Sequence, residues 1–371
     1  MTIKNPISIL IVERSGISME LKAVIALTPG AVVAEDVLDH KGNVIIKKNT
    51  SLDKFLIQKL NIAKISCVNI KEPEDFETTY FEKIKVSKTF KQFFEIYSKN
   101  FFEFKDMMDT FLKSRVPIDS DRLFHIIDEI TSPFRHSKIT ILDMLSVLET
   151  AEVDFLYTHS INVALICNYT AKWFRLDEED QKALVLCGFY YDIGKFKIPS
   201  EILLKQGSLT DEEFSLMKSH TTKGFQMLQS FDIDERIKMA ALMHHERIDG
   251  TGYPQGLVDE QIDQFAKITA ILDSYEAMTS YRSYRAPLCP FTVIEIFERD
   301  GFGKYDTGCY MTFLERMVEE YIGKEVQLND GTICVVVLIN KHKYSRPMVK
   351  TDDGKYIDLA TQKNLSIKSL V

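Results

Sequence analysis

The chain has 371 residues, of which 45% are hydrophobic and 27% charged, and a formal net charge of −8. That is the balance of a soluble globular protein long enough for two or three domains with a sizeable core. Nothing global points to a nucleic-acid polymer, so an anionic partner would have to be held by local cations, either metal ions or a few placed Lys and Arg side chains. No apolar run approaches the roughly 18 to 20 residues that cross a bilayer. The apolar stretch from Ile7 to Val12 meets Glu13 and Arg14, and is too short for the core of a signal peptide. A cytoplasmic protein without a membrane partner is expected. The six cysteines include no CxxC pair and no catalytic signature, so reduced, mostly buried thiols are expected.

Three zones follow in chain order. Residues 1–72 read as a small β-rich module: Val32-Val33 and Val44-Ile45-Ile46 are β-prone, Pro29-Gly30 and Asp39 to Gly42 are turn signals, and a helix is predicted near Leu52 to Leu60. From about residue 80 the pattern is helical. A stripe of apolar residues at three- and four-residue steps predicts a long helix over 83–114, including Phe90, Phe93, Tyr97, Phe101, Phe104 and Phe111. Core packing is one reading of that stripe, and dimerisation through an exposed part of it is another. A second helix is predicted from Ser120 to Thr131 behind an Asp119 or Ser120 cap, so that 80–150 forms a helical connector. Further helices are predicted at 139–150, 153–174, 177–191, 210–229, 234–246, 262–281, 291–300 and 306–322. Residues 323–371 return to β patterns, with turn chemistry at Asn329-Asp330-Gly331 and Asp352-Asp353-Gly354. The fold class is therefore mainly α, with small β-rich modules at both ends.

Of the eight histidines, His159, His220, His244 and His245 share the central helical zone with Asp192 and Asp273. A lone histidine on a helix is ordinarily a packing residue. The pair His244-His245 is different, because Glu246, Arg247, Asp249, Gly250, Gly252, Tyr253 and Pro254 follow it. Two imidazoles at a helix end before a glycine-rich turn stand where the chain stops being helical. Neutral imidazole together with carboxylate suits Fe, Mn, Zn or a similar divalent ion.

The stretch from His244 to Pro254 resembles the HHExxDGxGYP signature of the HD-GYP family. Asp192-Ile193-Gly194-Lys195 with Ile198-Pro199 and Ile202-Leu203 resembles that family's HDIGK…IP..IL segment. Asp273 to Ser280 with Arg282, Tyr284 and Arg285 resembles its DxYDALTSxRPYR segment. The likeness covers about residues 154–305. It implies a helical HD-type bundle over 151–322 that hydrolyses cyclic di-GMP, a bacterial second messenger, or a related cyclic dinucleotide. It also implies metal ligands at His159, Asp192, His220, His244, His245 and Asp273. Two divalent ions, Fe or Mn by preference, would be bridged by Asp192, and Lys195 would touch a phosphate oxygen. Tyr253, Arg247, Arg282 and Arg285 fall at substrate-binding positions. Other readings remain for the cations: Arg247 capping or pairing with Glu246 or Asp249, and Arg282 and Arg285 complementing a helix dipole. A homodimer or a signalling protein partner is compatible with the pattern.

The logic of such a site is general. A phosphodiester resists hydrolysis because a nucleophile must approach an anion. Two metal ions about 3.5 to 4 Å apart neutralise the phosphoryl group and acidify a bound water.

One position departs from the family pattern. The name-giving His-Asp pair reads Tyr191-Asp192. A phenol, with a pKa of about 10, is a poor ligand unless a strong Lewis acid deprotonates it. Tyr191 is then either a ferric tyrosinate ligand or part of the pocket packing, and the metal count falls to one in some of the outcomes. Phe155 stands where some relatives carry a glutamate that helps to hold a third ion. Two functions follow: a phosphodiesterase whose activity the substitution reduces, or a degenerate domain that binds nucleotide and signals.

Overall fold

The computed structural model describes residues 80–148, 154–205, 207–280 and 288–371, together with most of 19–71. The chain forms two compact units, Met1–Glu77 and Thr78–Val371.

In the first unit, strands β1 (Met19–Ala23), β2 (Val32–Val33), β3 (Val37–Leu38) and β4 (Val44–Ile46) precede helix α1 (Lys54–Ile62) and strand β5 (Cys67–Lys71). Strand β5 lies between β1 and β2, antiparallel to both, and β3 pairs with β4. Val33, Leu52, Leu60, Val68 and Ile70 close a small core. The helix begins at Lys54 because the Asp53 carboxylate accepts from the Leu56 amide at 2.7 Å, the ordinary capping bond.

The second unit is mainly helical. It opens with α2 (Tyr80–Val86), α3 (Lys88–Ser114), α4 (Ser120–Thr131) and α5 (Ile141–Ser146). The single helix predicted over 83–114 is two. Ser87 leaves helical geometry, with ψ at 148°, and its side chain accepts from the Phe90 amide. The hydrophobic stripe runs through this break, so periodicity alone could not show it. Along α3, Phe93, Tyr97, Phe101, Phe104, Met108 and Phe111 are buried in the main core, while Phe102 faces outward.

Next come α6 (Phe155–Thr170), α7 (Glu178–Tyr190), α8 (Ser200–Leu203), α9 (Asp211–Lys218), α10 (His220–Leu228), α11 (Glu235–Met243) and α12 (Gln264–Thr279). Helix α6 is buried continuously from Thr158 to Cys167. A helix that is apolar all round sits inside a bundle rather than on its surface. Helix α7 packs on α6, and α11 packs on α7, α10 and α12. The α6–α7 approach is close because residue 188 is glycine: a Cβ there would meet the Ala164 Cα at 2.7 Å.

Helices α13 (Pro290–Asp300) and α14 (Thr307–Glu319) lead into strands β6 (Glu325–Leu328), β7 (Ile333–Leu338), β8 (Met348–Thr351), β9 (Tyr356–Asp358) and β10 (Ile367–Leu370). They form one antiparallel sheet in the order β10-β6-β7-β8-β9. Its two expected turns hold Gly331 and Gly354 at φ of 91° and 84°, which only glycine adopts freely. The sheet belongs to the same unit as the helices. Lys324, just before β6, reaches the buried Asp143 carboxylate of α5 at 2.9 Å, and the Tyr80 hydroxyl donates to the same carboxylate at 2.9 Å.

The six cysteines are free, four of them buried. Among the described residues no helix is long and apolar enough to cross a membrane.

The Gly188 contact yields a direct test. Gly188→Ala forces backbone apart at the centre of the bundle and should destabilise the chain by about 1–3 kcal/mol. Urea unfolding followed by circular dichroism should show a lower midpoint with an unchanged slope.

Candidate metal centre

Five chain segments deliver the site. His159 lies inside α6, and Asp273 lies inside α12. Tyr191 is the C-cap of α7, and Asp192 follows it into a short 3-10 turn over Ile193–Lys197. His220 opens α10. His244 caps α11, and His245 is the next residue. The helix predicted over 210–229 is thus two helices, broken at Ser219, and the break is what aims His220 inward. The turn after Asp192 is pressed against this break. A Cβ on Gly194 would lie 1.8 Å from the His220 carbonyl oxygen, so only glycine lets the two ligand-bearing segments meet.

All six predicted metal-binding residues converge, in two groups that share Asp192: Asp192, His220, His244 and His245 on one side, and His159, Asp192 and Asp273 on the other. Hydrogen bonds decide which group suits a cation. His220 Nδ1 faces the Met217 carbonyl at 2.7 Å, and His244 Nδ1 faces the Ala240 carbonyl at 2.9 Å. A carbonyl only accepts, so each Nδ1 carries the proton and each Nε2 presents a lone pair. Those two Nε2 atoms are 3.2 Å apart, and they lie 3.4 and 3.5 Å from Asp192 Oδ1. Asp192 Oδ1 is buried with no hydrogen-bond partner. Lone pairs facing one another without a proton between them repel, and a buried orphan acceptor is costly. A cation removes both penalties. Ligands at about 2.0–2.2 Å from a common ion are spaced about 2.9–3.5 Å from one another, which is the spacing found. Burial pushes the His220 imidazole down to about 4. Burial, reinforced by His244, also holds His245 well below the ordinary histidine value. Both are therefore neutral at physiological pH, the form a metal takes.

The other side is arranged differently. His159 Nδ1 meets Glu276 Oε2 at 2.6 Å, and its Nε2 lies 3.0 Å from Asp273 Oδ1. The Tyr191 hydroxyl stands between them, 2.5 Å from His159 Nε2 and 2.8 Å from Asp273 Oδ1, to which it donates. Burial, then the Asp273 charge, drives the Tyr191 pKa well above 10, so the phenol keeps its proton. Its ring is fully buried and edge-on to His244. Lys195 donates to Asp192 Oδ2. Burial alone would raise the Asp192 pKa, but the Lys195 ammonium and the surrounding imidazoles outweigh it and hold the carboxylate ionised. Phe155 stacks on the His159 ring at 5.6 Å.

Tyr253 stacks on His245 with centroids 4.6 Å apart. Arg247 donates to the carbonyls of His244 and Glu246 and lies over the Tyr305 ring, so its contacts are those of a residue holding its own turn. Arg282 and Arg285 lie outside the described residues.

Two supporting residues were not singled out in the sequence. Glu246 is buried, and its carboxylate accepts from the Gln255 and Leu257 amides at 2.7 and 2.9 Å, clamping the loop that carries Tyr253. A Cβ on Gly252 would meet the Glu246 Cα at 2.4 Å, so the loop folds tightly over that carboxylate. Glu276 orients His159 and also accepts from Asn162 Nδ2 at 3.1 Å. The signal for it was helical spacing: His159 with Asn162, and Asp273 with Glu276, are i,i+3 pairs on facing helices.

The helical bundle thus gathers histidines and aspartates from five segments into one buried nest. Residues 143–307 match the family model described as HD domain. A cyclic di-GMP phosphodiesterase of Pseudomonas aeruginosa is 32% identical over 236 residues, covering 63% of this chain and 56% of that protein. A 3'3'-cGAMP-specific phosphodiesterase of Vibrio cholerae is 33% identical over 198 residues, 52% of this chain and 46% of that one. A cyclic di-GMP phosphodiesterase of Thermotoga maritima is 38% identical over 156 residues, 42% of each. The chain spans about half the length of the curated relatives it matches.

Removing the Glu246 carboxylate tests the clamp. Glu246→Ala leaves two amides without their acceptor, a loss of about 1–3 kcal/mol. Hydrogen exchange at Gln255 and Leu257 should accelerate by about 10- to 100-fold while the amides of α6 and α7 keep their protection.

Proposed function

We propose that the chain is a metal-dependent phosphodiesterase that hydrolyses cyclic di-GMP or a related cyclic dinucleotide to a linear product. The observation that carries this reading is the nest of His220, His244 and Asp192 Oδ1: three buried acceptor atoms aimed at one point with no proton to join them. His245 completes the set. These donors suit a divalent Fe or Mn ion. Such an ion supplies Lewis acidity, neutralising phosphate charge and acidifying water near pH 7.

The chain's own residues do the rest. The backbone carbonyls of Met217 and Ala240 fix both imidazole tautomers before any ligand arrives. Lys195 holds an ammonium beside Asp192, where it favours an anionic phosphate over a neutral ester. Tyr253, locked against His245, offers an aromatic face at the edge of the nest. Preorganised groups of this kind stabilise charge that develops in the transition state without paying to reorient. The substrate class rests on the relatives' named activities together with the shared segments from Asp192 to Asp273.

The test is turnover by the full chain supplied with Mn or Fe, using cyclic di-GMP and 3'3'-cGAMP in parallel. Linear dinucleotide should appear, and Asp192→Ala should lower the rate by at least about 100-fold, the upper end of what outer-shell losses cost. Tight nucleotide binding without turnover under any divalent ion would refute the hydrolase and leave a degenerate binding module. Chelation gives a second check. Stripping the ion leaves the facing lone pairs unscreened, so the thermal midpoint should fall on chelation and recover when Mn is restored.

A further inference from the structure

The two sides of Asp192 differ in a way that fixes how many ions the site takes. On the three-histidine side the His220, His244 and Asp192 ligand atoms are 3.2–3.5 Å apart, the Nε2 atoms of His220 and His244 carry lone pairs, and Asp192 Oδ1 has no hydrogen-bond partner. On the other side the facing atoms already have hydrogen-bond neighbours. Asp192 Oδ2 accepts from Lys195, and Asp273 Oδ1 accepts from Tyr191. The Tyr191 oxygen lies 2.5 Å from His159 Nε2. His159 Nε2 lies 3.0 Å from Asp273 Oδ1 and 3.4 Å from Asp192 Oδ2, a spacing like that of the first side. What differs is the Tyr191 oxygen, whose separations of 2.5 and 2.8 Å are hydrogen-bond lengths, shorter than the about 2.9–3.5 Å between atoms that ligate one ion. The Tyr191 hydroxyl thus sits within hydrogen-bond reach of both groups. It matters little which acceptor takes the phenol hydrogen, because the hydroxyl oxygen fills the space between His159 and Asp273 in either arrangement.

We infer that Tyr191 closes the second metal position, so that the chain holds one divalent ion, in the Asp192–His220–His244–His245 nest, where the family resemblance implies two. The arrangement is self-sufficient. His159 gives its Nδ1 proton to Glu276, and Glu276 is held in turn by Asn162 and Ser280. The ring cannot swing to a new partner without breaking a buried bond. A histidine at position 191 would bring a lone pair where the phenol brings a hydroxyl, and the same pocket would then present three acceptors, as its neighbour does. Asp192 in this chain therefore does not bridge two ions. One of its oxygens ligates, and the other anchors Lys195.

The inference rests on reading the three-histidine nest as a metal site, and metal stoichiometry separates the two ideas without reference to activity. The full chain is loaded anaerobically with Fe(II) or Mn(II), freed of excess ion and analysed for metal per chain. Wild type should hold one ion, His220→Ala should lose it or bind it at least about 10-fold more weakly, and Asp273→Asn should still hold one. Tyr191→His, with a native circular dichroism spectrum, should hold two. After oxidation to Fe(III), wild type should show no visible phenolate-to-iron absorption band.

Two ions in wild type, loss of the ion in Asp273→Asn, or a phenolate band would each overturn the inference. A folded Tyr191→His that still holds one ion would overturn it as well. Zero ions in wild type would refute the metal reading on which it rests. Should Tyr191→His fail to fold, the counts for wild type and Asp273→Asn, with the spectrum, still decide.

Discussion

The buried carboxylate of Asp192 is the constraint around which the second unit is arranged. A carboxylate removed from water must be compensated on every face. Here Lys195 serves one oxygen, and the imidazoles of His220 and His244 crowd the other. Bringing those groups together requires α7 to stop at residue 190, the turn at 193–197 to press on α10, and Ser219 to break α9 from α10. Gly194 is the sterically obligatory part, since any side chain there would strike the His220 carbonyl. The site is thus a property of helix ends meeting, and the bundle's packing exists at the spacing those ends demand.

Much of this was legible in the residues. His244-His245 before a glycine-rich turn pointed to metal ligands, and the family resemblance of the segment from Asp192 to Lys195 added Asp192 to them. The mainly helical class with β-rich ends followed from periodicity, and the turn positions near Gly331 and Gly354 followed from the need for positive φ. The breaks at Ser87 and Ser219 were not legible. At Ser87 the stripe continues across a capping bond, a local event that a pattern averaged over several turns conceals. At Ser219 the backbone stays near helical values, so nothing in the residues marks the break.

The role of Tyr191 shows the same limit at atomic scale. The sequence exposed the substitution and left it between iron ligand and packing residue. Only the positions of the hydroxyl, His159 Nε2 and Asp273 Oδ1 distinguish a proton from a cation between them. Glu246 and Glu276 stood within the quoted segments, but their roles did not show, because their partners are main-chain amides and a distant histidine ring. Amide partners leave no trace in residue spacing, and for Glu276 the i,i+3 spacing to Asp273 shows only once the two helices are known to face each other. Arg247 is an intermediate case: its capping alternative was visible, and its guanidinium is indeed engaged with the carbonyls of its own turn.

Tyr97 on α3 donates to Asn162 Oδ1 at 2.9 Å, Asn162 donates to Glu276, and Glu276 faces His159. This unbroken buried thread links a helix that contributes no ligand to the ring beside Asp192. Each strand of it is short and shielded from water, so none can lengthen cheaply. A torque applied to α3 must therefore reach the imidazole as displacement or be absorbed by a ruptured bond. The long aromatic helix is mechanically geared to the floor of the histidine nest.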